Sequence, residues 1–175
     1  MLSKISASAM KYGLILGVYF ALNFLFSVSG NTFLALFSNV ILVLSILFVY
    51  RYTVKFRETE NDGVISYRNA FFYILMLHFF GSILSGAVVL IYNKFINPGF
   101  LTAMINDPSM QKSIEILKTV MKFSDSQVQQ SLDMIMNPVS YTLQYIWGNT
   151  VVGAFIGLVL AFVIKKSPKS QHTEQ

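Results

Sequence analysis

The chain has 175 residues, of which 54% are hydrophobic and only 12% charged, against about 25% charged in an average soluble domain. Such a chain cannot cover itself with polar surface, so a second apolar solvent must accept the excess. The net charge of +5 is scattered and forms no dense basic run with interleaved aromatic residues, which argues against nucleic-acid binding. Cysteine is absent, which excludes disulfides, thiolate nucleophiles and cysteine metal sites.

Four apolar stretches are long enough to cross a membrane as helices. About 20 residues at 1.5 Å per residue span a hydrocarbon core of about 30 Å. The four stretches run from Tyr12 to Val28, Thr32 to Tyr50, Ala70 to Tyr92 and Tyr145 to Ile164. None contains Asp, Glu, Lys or Arg. Backbone groups in hydrocarbon must be paired internally, so the sequence predicts an all-α polytopic membrane protein with four transmembrane helices in a single domain, residues 1–175.

The first span also has some features of a cleaved signal peptide. Lys4 and Lys11 precede the apolar run, and small residues follow it, as in a secretory signal. However, the run is long, and Ser29-Gly30-Asn31 forms a tight turn signal directly before the second span. We therefore favour a transmembrane hairpin.

The distribution of basic residues predicts the orientation, because Lys and Arg concentrate on the cytoplasmic side. The N-terminus, the second loop and the C-terminal tail share one side of a four-span chain. That side holds nine basic residues: Lys4, Lys11, Arg51, Lys55, Arg57, Arg68, Lys165, Lys166 and Lys169. In the segment between the third and fourth spans, four lysines are balanced by four acids. We therefore expect both termini in the cytoplasm and the third loop outside it.

The loop of residues 51–69 has two interpretations that the sequence leaves open. Asn61-Asp62-Gly63 is a turn signal, and the alternating segments Thr53–Phe56 and Val64–Tyr67 suit a short β-hairpin. The other interpretation is a flexible charged linker.

The longest connection, residues 93–141, is predicted to form an extracytoplasmic helical insertion. Asp107 can cap a helix that begins at Pro108, and Ser124 with Gln127 is a capping-box pattern for a second helix. Helical spacing places an apolar stripe on each helix. These stripes either face a protein partner or pack on the protein's own helices or on lipid; their members are Met110, Ile114, Leu117, Met121, Val128, Leu132 and Ile135.

Four polar residues within the spans form a candidate intramembrane polar site. His78 is the only ionisable side chain in a span; it either relays protons or binds a ligand, or it is a neutral residue bonded to a neighbouring helix or a backbone carbonyl. Asn23, Asn39 and Asn149 are expected at similar depth. They either line a polar cavity or fix the register of the helices through hydrogen bonds.

Small residues at four-residue spacing predict close helix packing on three spans. Such residues lie on one helix face and let another backbone approach. This pattern suggests a compact bundle, or a dimer interface on one of the spans. The residues are Gly13 and Gly17, Gly81 and Ser85, and Gly153 and Gly157, with Ala161 extending the last set.

Five of the eight methionines lie in the helical insertion, and thioethers bind Cu(I). A copper site is the weaker interpretation, because no His or Cys lies nearby in sequence and most of these methionines fit the apolar stripes, where Met fills gaps. We therefore expect no metal and no cofactor.

Two segments resemble a known family. They are the third span with its exit, from Tyr67-Arg68-Asn69 through Ile96-Asn97-Pro98-Gly99, and the last span, from Gly148-Asn149-Thr150 through Lys165-Lys166-Ser167-Pro168. The chain resembles the domain of unknown function 4199 family, small four-span membrane proteins of Bacteroidota. The resemblance implies the bacterial inner membrane and implies no activity, substrate or catalytic residue.

Three functional hypotheses follow. The first is a non-catalytic scaffold or accessory subunit that acts through the insertion, binding a protein partner or a second copy within the lipid bilayer. The second is a small oligomeric transporter or channel with a polar path near His78 and the asparagines. An enzyme is the least favoured, because no acid or second histidine lies within any span.

Overall fold

The computed structural model describes residues 2–167, and within them four helices are long and apolar enough to span a membrane. They are α1 (Leu2–Ser27), α2 (Thr32–Glu60), α3 (Tyr67–Ile91) and, after three shorter helices, α7 (Pro138–Ile164). The predicted all-α membrane fold is confirmed. Each helix extends beyond its predicted apolar stretch at one end or both, since helix formation continues into the polar flanks.

Local capping explains where two of the spans begin. The side-chain oxygen of Asn31 accepts hydrogen bonds from the backbone N–H groups of Phe33 (2.9 Å) and Leu34 (3.3 Å) at the start of α2. At the start of α7, Asn137 accepts from Val139 (2.9 Å) and Ser140 (3.2 Å). Such caps satisfy backbone donors that have no partner within the helix.

The predicted β-hairpin in residues 51–69 is wrong, and so is the flexible linker. Thr53 lies within α2, where its hydroxyl donates to the Val49 carbonyl (2.7 Å) and both residues are buried. Packing of this helix face outweighs the local preference for strand. The turn signal itself is confirmed, since Asp62 (φ 53°) and Gly63 (φ 73°) adopt left-handed conformations directly after α2.

The chain divides into two compact units. The span unit comprises Met1–Ser85 and Ile146–Gln175, and the insertion unit comprises Gly86–Tyr145. In the span unit, buried apolar side chains of all four spans form the core, which includes Leu16, Val49, Phe56, Tyr73, Leu77 and Ala161.

The insertion unit is helical throughout most of its length. A π-helical turn, Tyr92–Ile96, extends α3, and three helices follow: α4 (Phe100–Ile105), α5 (Pro108–Thr119) and α6 (Asp125–Met136). Both predicted caps are present. Asp107 accepts a hydrogen bond from the Ser109 N–H (2.8 Å). Hydrogen bonds from the side chain and the backbone of Ser109 hold the pKa of the Asp107 carboxyl below its usual value. Ser124 and Gln127 form the reciprocal capping box.

Candidate functional site

The small residues of α1 and α3 lie at a close helix crossing. A Cβ atom added to Gly17 would lie 2.7 Å from the Gly81 carbonyl oxygen, and one added to Gly13 would lie 2.8 Å from the Phe80 Cβ. Real Cβ atoms essentially never approach so closely. Both glycines therefore serve contact within the chain. Ser85 is buried and bonds back to the carbonyls of Gly81 and Ser82 on its own helix (both 3.2 Å).

The small residues of α7 pack against α3 in the same way. A Cβ on Gly153 would overlap the His78 side chain, and one on Gly157 would lie 3.2 Å from the Phe71 ring. The predicted small-residue faces of α1, α3 and α7 are thus occupied by neighbouring helices of one chain. None of the five glycines at these crossings, Gly13, Gly17, Gly81, Gly153 and Gly157, offers an open face for a dimer.

His78 sits at the centre of this packing. It is only 2% exposed, and its Nδ1 lies 3.0 Å from the Ile74 carbonyl oxygen, one turn earlier on α3. A proton on Nδ1 lets the ring donate a hydrogen bond to that carbonyl. The Phe20 ring stands 5.7 Å from the imidazole. No cluster of three or more His, Cys, Asp or Glu side chains suited to a metal occurs in residues 2–167.

Two of the three asparagines, Asn23 and Asn39, each donate to a backbone carbonyl of the α1–α2 hairpin. Asn23 donates to the Ser38 carbonyl on α2 (2.6 Å), which ties the α1–α2 hairpin together. Asn39 is exposed and donates to the Ala35 carbonyl of its own helix (3.3 Å). Asn149 on α7 is half-buried. At Asn23 and Asn39 the arrangement favours a role in helix register over the lining of a cavity.

A polar network that the sequence reasoning missed links the end of α2, the start of α3 and the end of α7. Arg57 donates to the Ile164 carbonyl (2.7 Å) and pairs with Glu58 (2.6 Å). Ile65 and Lys166 exchange two backbone hydrogen bonds (3.0 and 2.9 Å) as an isolated antiparallel bridge. Arg57 lies about a hundred residues from Ile164, and Ile65 lies as far from Lys166. No local sequence pattern could therefore have indicated these two contacts.

A second polar contact at the same end is buried between α1, α2 and α3. The Ser8 hydroxyl donates to the Glu60 carboxylate (3.0 Å) and lies 3.2 Å from the Tyr73 hydroxyl. The Tyr73 ring stacks on Phe56 at 4.4 Å. These contacts fix the polar end of the span unit.

In the insertion unit, the two predicted apolar stripes face each other across a small cavity of about 80 Å³. Six of the seven residues predicted to face a partner line it: Met110, Ile114, Leu117, Val128, Leu132 and Ile135. The seventh, Met121, is 58% exposed. The stripes therefore pack mainly within the unit.

One set of exposed apolar side chains lies at the end of α5 and in the turn before α6; Phe95, Ile96, Met134 and Met136 are exposed elsewhere in the insertion unit. We call this set, Ile116, Val120, Met121 and Phe123, the α5–α6 tip; Val120 alone is 72% exposed. Lys118 pairs with Asp125 beside it (2.7 Å), and this lysine holds the pKa of the Asp125 carboxyl below its usual value.

Asn93 is a further residue that the sequence reasoning missed. It lies in the π-helical turn, is 1% exposed, and neither its amide nitrogen nor its amide oxygen has a hydrogen-bond partner among the residues described. Unpaired buried polar groups are costly, and π-turns often mark functional positions.

Comparison with known proteins gives one match. The sequence profile of the family described as "Protein of unknown function (DUF4199)" matches residues 11–166. The chain belongs to this family. No curated protein and no solved structure matches it. As a DUF4199 member with four apolar helices, the chain is a membrane protein; family membership adds no substrate or partner.

Proposed function

We propose that this DUF4199 protein is a non-catalytic scaffold or accessory subunit, and that it binds a protein partner through the insertion unit. The observation that carries the proposal is the α5–α6 tip. Four large apolar side chains stand exposed there, beside stripe residues that line the cavity between α5 and α6. Exposed apolar patches with polar surroundings mark interaction sites.

The partner-binding surface is then the α5–α6 tip rather than the whole of the two apolar stripes. The stripes supply the contact between α5 and α6, and the tip supplies the docking residues. Met121 belongs to both the predicted stripe and the tip. The apolar tip suits a partner that presents an apolar pocket, with polar contacts around its rim.

Site-specific photocrosslinking in cells tests the proposal. We expect a photoreactive amino acid at Val120 or Met121 of the full-length chain to capture one defined protein, identified by mass spectrometry. The matched control is Lys112, which is exposed on α5 outside the tip. Capture of that protein should also fall when Ile116, which is exposed and does not line the cavity between α5 and α6, is replaced by Ser. Crosslinks to lipid alone, or equal capture from Lys112, would refute the proposal.

The transporter alternative has less support. A polar path near His78 would need polar groups free to bind a solute, whereas His78, Asn23 and Asn39 each bond to a backbone carbonyl. Solute flux into liposomes that falls in a His78→Ala variant would favour the transporter and count against the scaffold.

The cytoplasmic orientation of both termini and residence in the bacterial inner membrane are part of the same proposal. They rest on eight basic residues at or beside the same ends of the four spans, with Lys169 outside the described residues, and on the rule that such residues resist translocation.

A further inference from the structure

Two lysines from different helices converge on one tyrosine ring where α1 meets α2. The Lys11 ammonium lies 5.3 Å from the centroid of the Tyr12 ring, and the Lys55 ammonium lies 5.2 Å from the same centroid. Lys55 also lies 5.6 Å from the Tyr52 ring. Each distance is within the range of a cation–π contact.

The aromatic base of this arrangement is fixed by packing. Tyr12 is buried, and its ring lies 4.4 Å from that of Tyr52. The Tyr52 ring in turn stacks on Phe48 at 4.1 Å. The two lysines are exposed, so their charged groups, each within 5.3 Å of the Tyr12 ring centroid, stay accessible.

Neither positive charge is held in a close ion pair. The ion pairs found in residues 2–167 involve Arg57, Lys118 and Lys166, and neither Lys11 nor Lys55 takes part in one. The carboxylate of Glu60, five residues beyond Lys55, attracts the Lys55 ammonium but accepts its hydrogen bond from Ser8. Like charges held near each other repel, and a bound anion relieves this repulsion.

The position along the helices matches the level of lipid headgroups. By helix rise, Lys11 lies about 24 Å along α1 from Ser27, and Tyr52 lies about 30 Å along α2 from Thr32. The hydrocarbon core is about 30 Å thick. The cluster therefore lies near the membrane boundary opposite the α1–α2 turn, where tyrosine rings and the ends of lysine side chains are favoured.

We propose that Lys11 and Lys55 bind the phosphate group of an anionic phospholipid above the Tyr12–Tyr52 pair. A free phosphate ion offers the same headgroup chemistry. The lipid is favoured because exposed apolar residues of the same helices continue from the cluster toward the hydrocarbon core and supply contact for acyl chains. These residues are Leu14 and Val18 on α1 and Leu44 and Leu47 on α2.

Native mass spectrometry of the full chain from mixed micelles tests the site. The micelles contain equal amounts of phosphatidylglycerol and phosphatidylcholine. We expect the wild-type protein to retain phosphatidylglycerol in preference to phosphatidylcholine. In the Lys11→Gln/Lys55→Gln variant, the ratio of retained phosphatidylglycerol to phosphatidylcholine should fall about fivefold for each lysine removed. The matched control is Lys4→Gln/Arg68→Gln, which removes the same charge from exposed residues at the same end of the spans and should behave as wild type.

Two further measurements, on an arginine variant and with inorganic phosphate, complete the test. The Lys11→Arg/Lys55→Arg variant keeps both charges and should keep the preference, which guards against loss through misfolding. Equal losses in the matched control would overturn the proposal in favour of general charge attraction. Displacement of the lipid by millimolar inorganic phosphate would overturn the choice of a lipid over a free anion. Unchanged retention in the double Gln variant would also overturn the proposal.

Discussion

At the scale of single residues, the contact between Gly153 and His78 is the tightest that the small residues make. The backbone of α7 can approach α3 here only because position 153 has no Cβ. Gly148 lies on the same helix, and a Cβ added there would meet nothing within 4 Å. The two glycines differ in surroundings and share a helix, so they form a matched pair.

We expect Gly153→Ala to destabilise the protein by about 1–3 kcal/mol, the usual cost of overpacking a filled core. Gly148→Ala should leave stability unchanged or slightly raised, since alanine favours helix. Unfolding in mild detergent with increasing sodium dodecyl sulfate measures both. In a Gly153→Ala/His78→Gly double variant the cost of Gly153→Ala should fall, because both the ring and the Cβ of His78, which the added Cβ would overlap, are gone. Additive losses would contradict this interpretation.

Asn93 gives the second prediction at this scale. Replacing an unpaired buried amide by an apolar group of similar size removes a desolvation penalty of about 1–3 kcal/mol. We therefore expect Asn93→Leu to raise the unfolding midpoint and Asn93→Asp to lower it, because a buried carboxylate is costlier still. A lower midpoint for Asn93→Leu would show that the amide has a polar partner in the folded protein.

At the scale of elements, the last turn of α7 depends on a residue from another helix. Arg57 reaches from α2 to the Ile164 carbonyl, one of the terminal acceptors that a helix cannot satisfy itself. Its side chain is 16% exposed, so water competes weakly for the contact. The positive charge also suits the negative end of the helix dipole.

We expect Arg57→Gln to destabilise the protein by about 1.5–3 kcal/mol, as for other hydrogen bonds to charged groups. Arg68→Gln is the control, since Arg68 is exposed at the start of α3. Hydrogen exchange should show faster opening of residues 161–166 in Arg57→Gln alone. Equal protection in the two variants would contradict a capping role.

The packing of α5 against α6 yields a comparison between two valines. Val128 is 4% exposed beside the cavity between the stripes, whereas Val120 is among the exposed residues of the tip. Val128→Ala should speed hydrogen exchange across α5 and α6, because it removes buried methyl groups worth about 1–2 kcal/mol. Val120→Ala should leave exchange unchanged while weakening capture of a protein partner. The reverse pattern would contradict the assignment of buried and exposed faces.

At the scale of the whole molecule, the sequence predicted what depends on local chemistry and composition. Apolar length indicated the four spans, and caps such as Asp107 and Ser124 were found where predicted. What it missed depends on distant contacts. The pairing of Ile65 with Lys166 and the burial of Thr53 within α2 arise only once the helices pack. The three asparagines were grouped because helix rise places them at similar depth in their spans. Depth alone does not determine on which face of its helix Asn39 lies.

The orientation of the molecule is the last prediction, and a chain without cysteine allows a direct test. Ser66 and Ser126 are both exposed, and serine to cysteine changes little in size. Ser66 precedes α3 and Ser126 lies in α6, between the third and fourth spans; if each span crosses the membrane once, we expect the two residues on opposite sides. Because basic residues concentrate near Ser66, we expect an impermeant thiol reagent to label only Ser126→Cys in spheroplasts. After permeabilisation both variants should react, which shows that each thiol is accessible. Labelling of Ser66→Cys in intact spheroplasts would invert the topology and place the α5–α6 tip, with any partner it binds, in the cytoplasm.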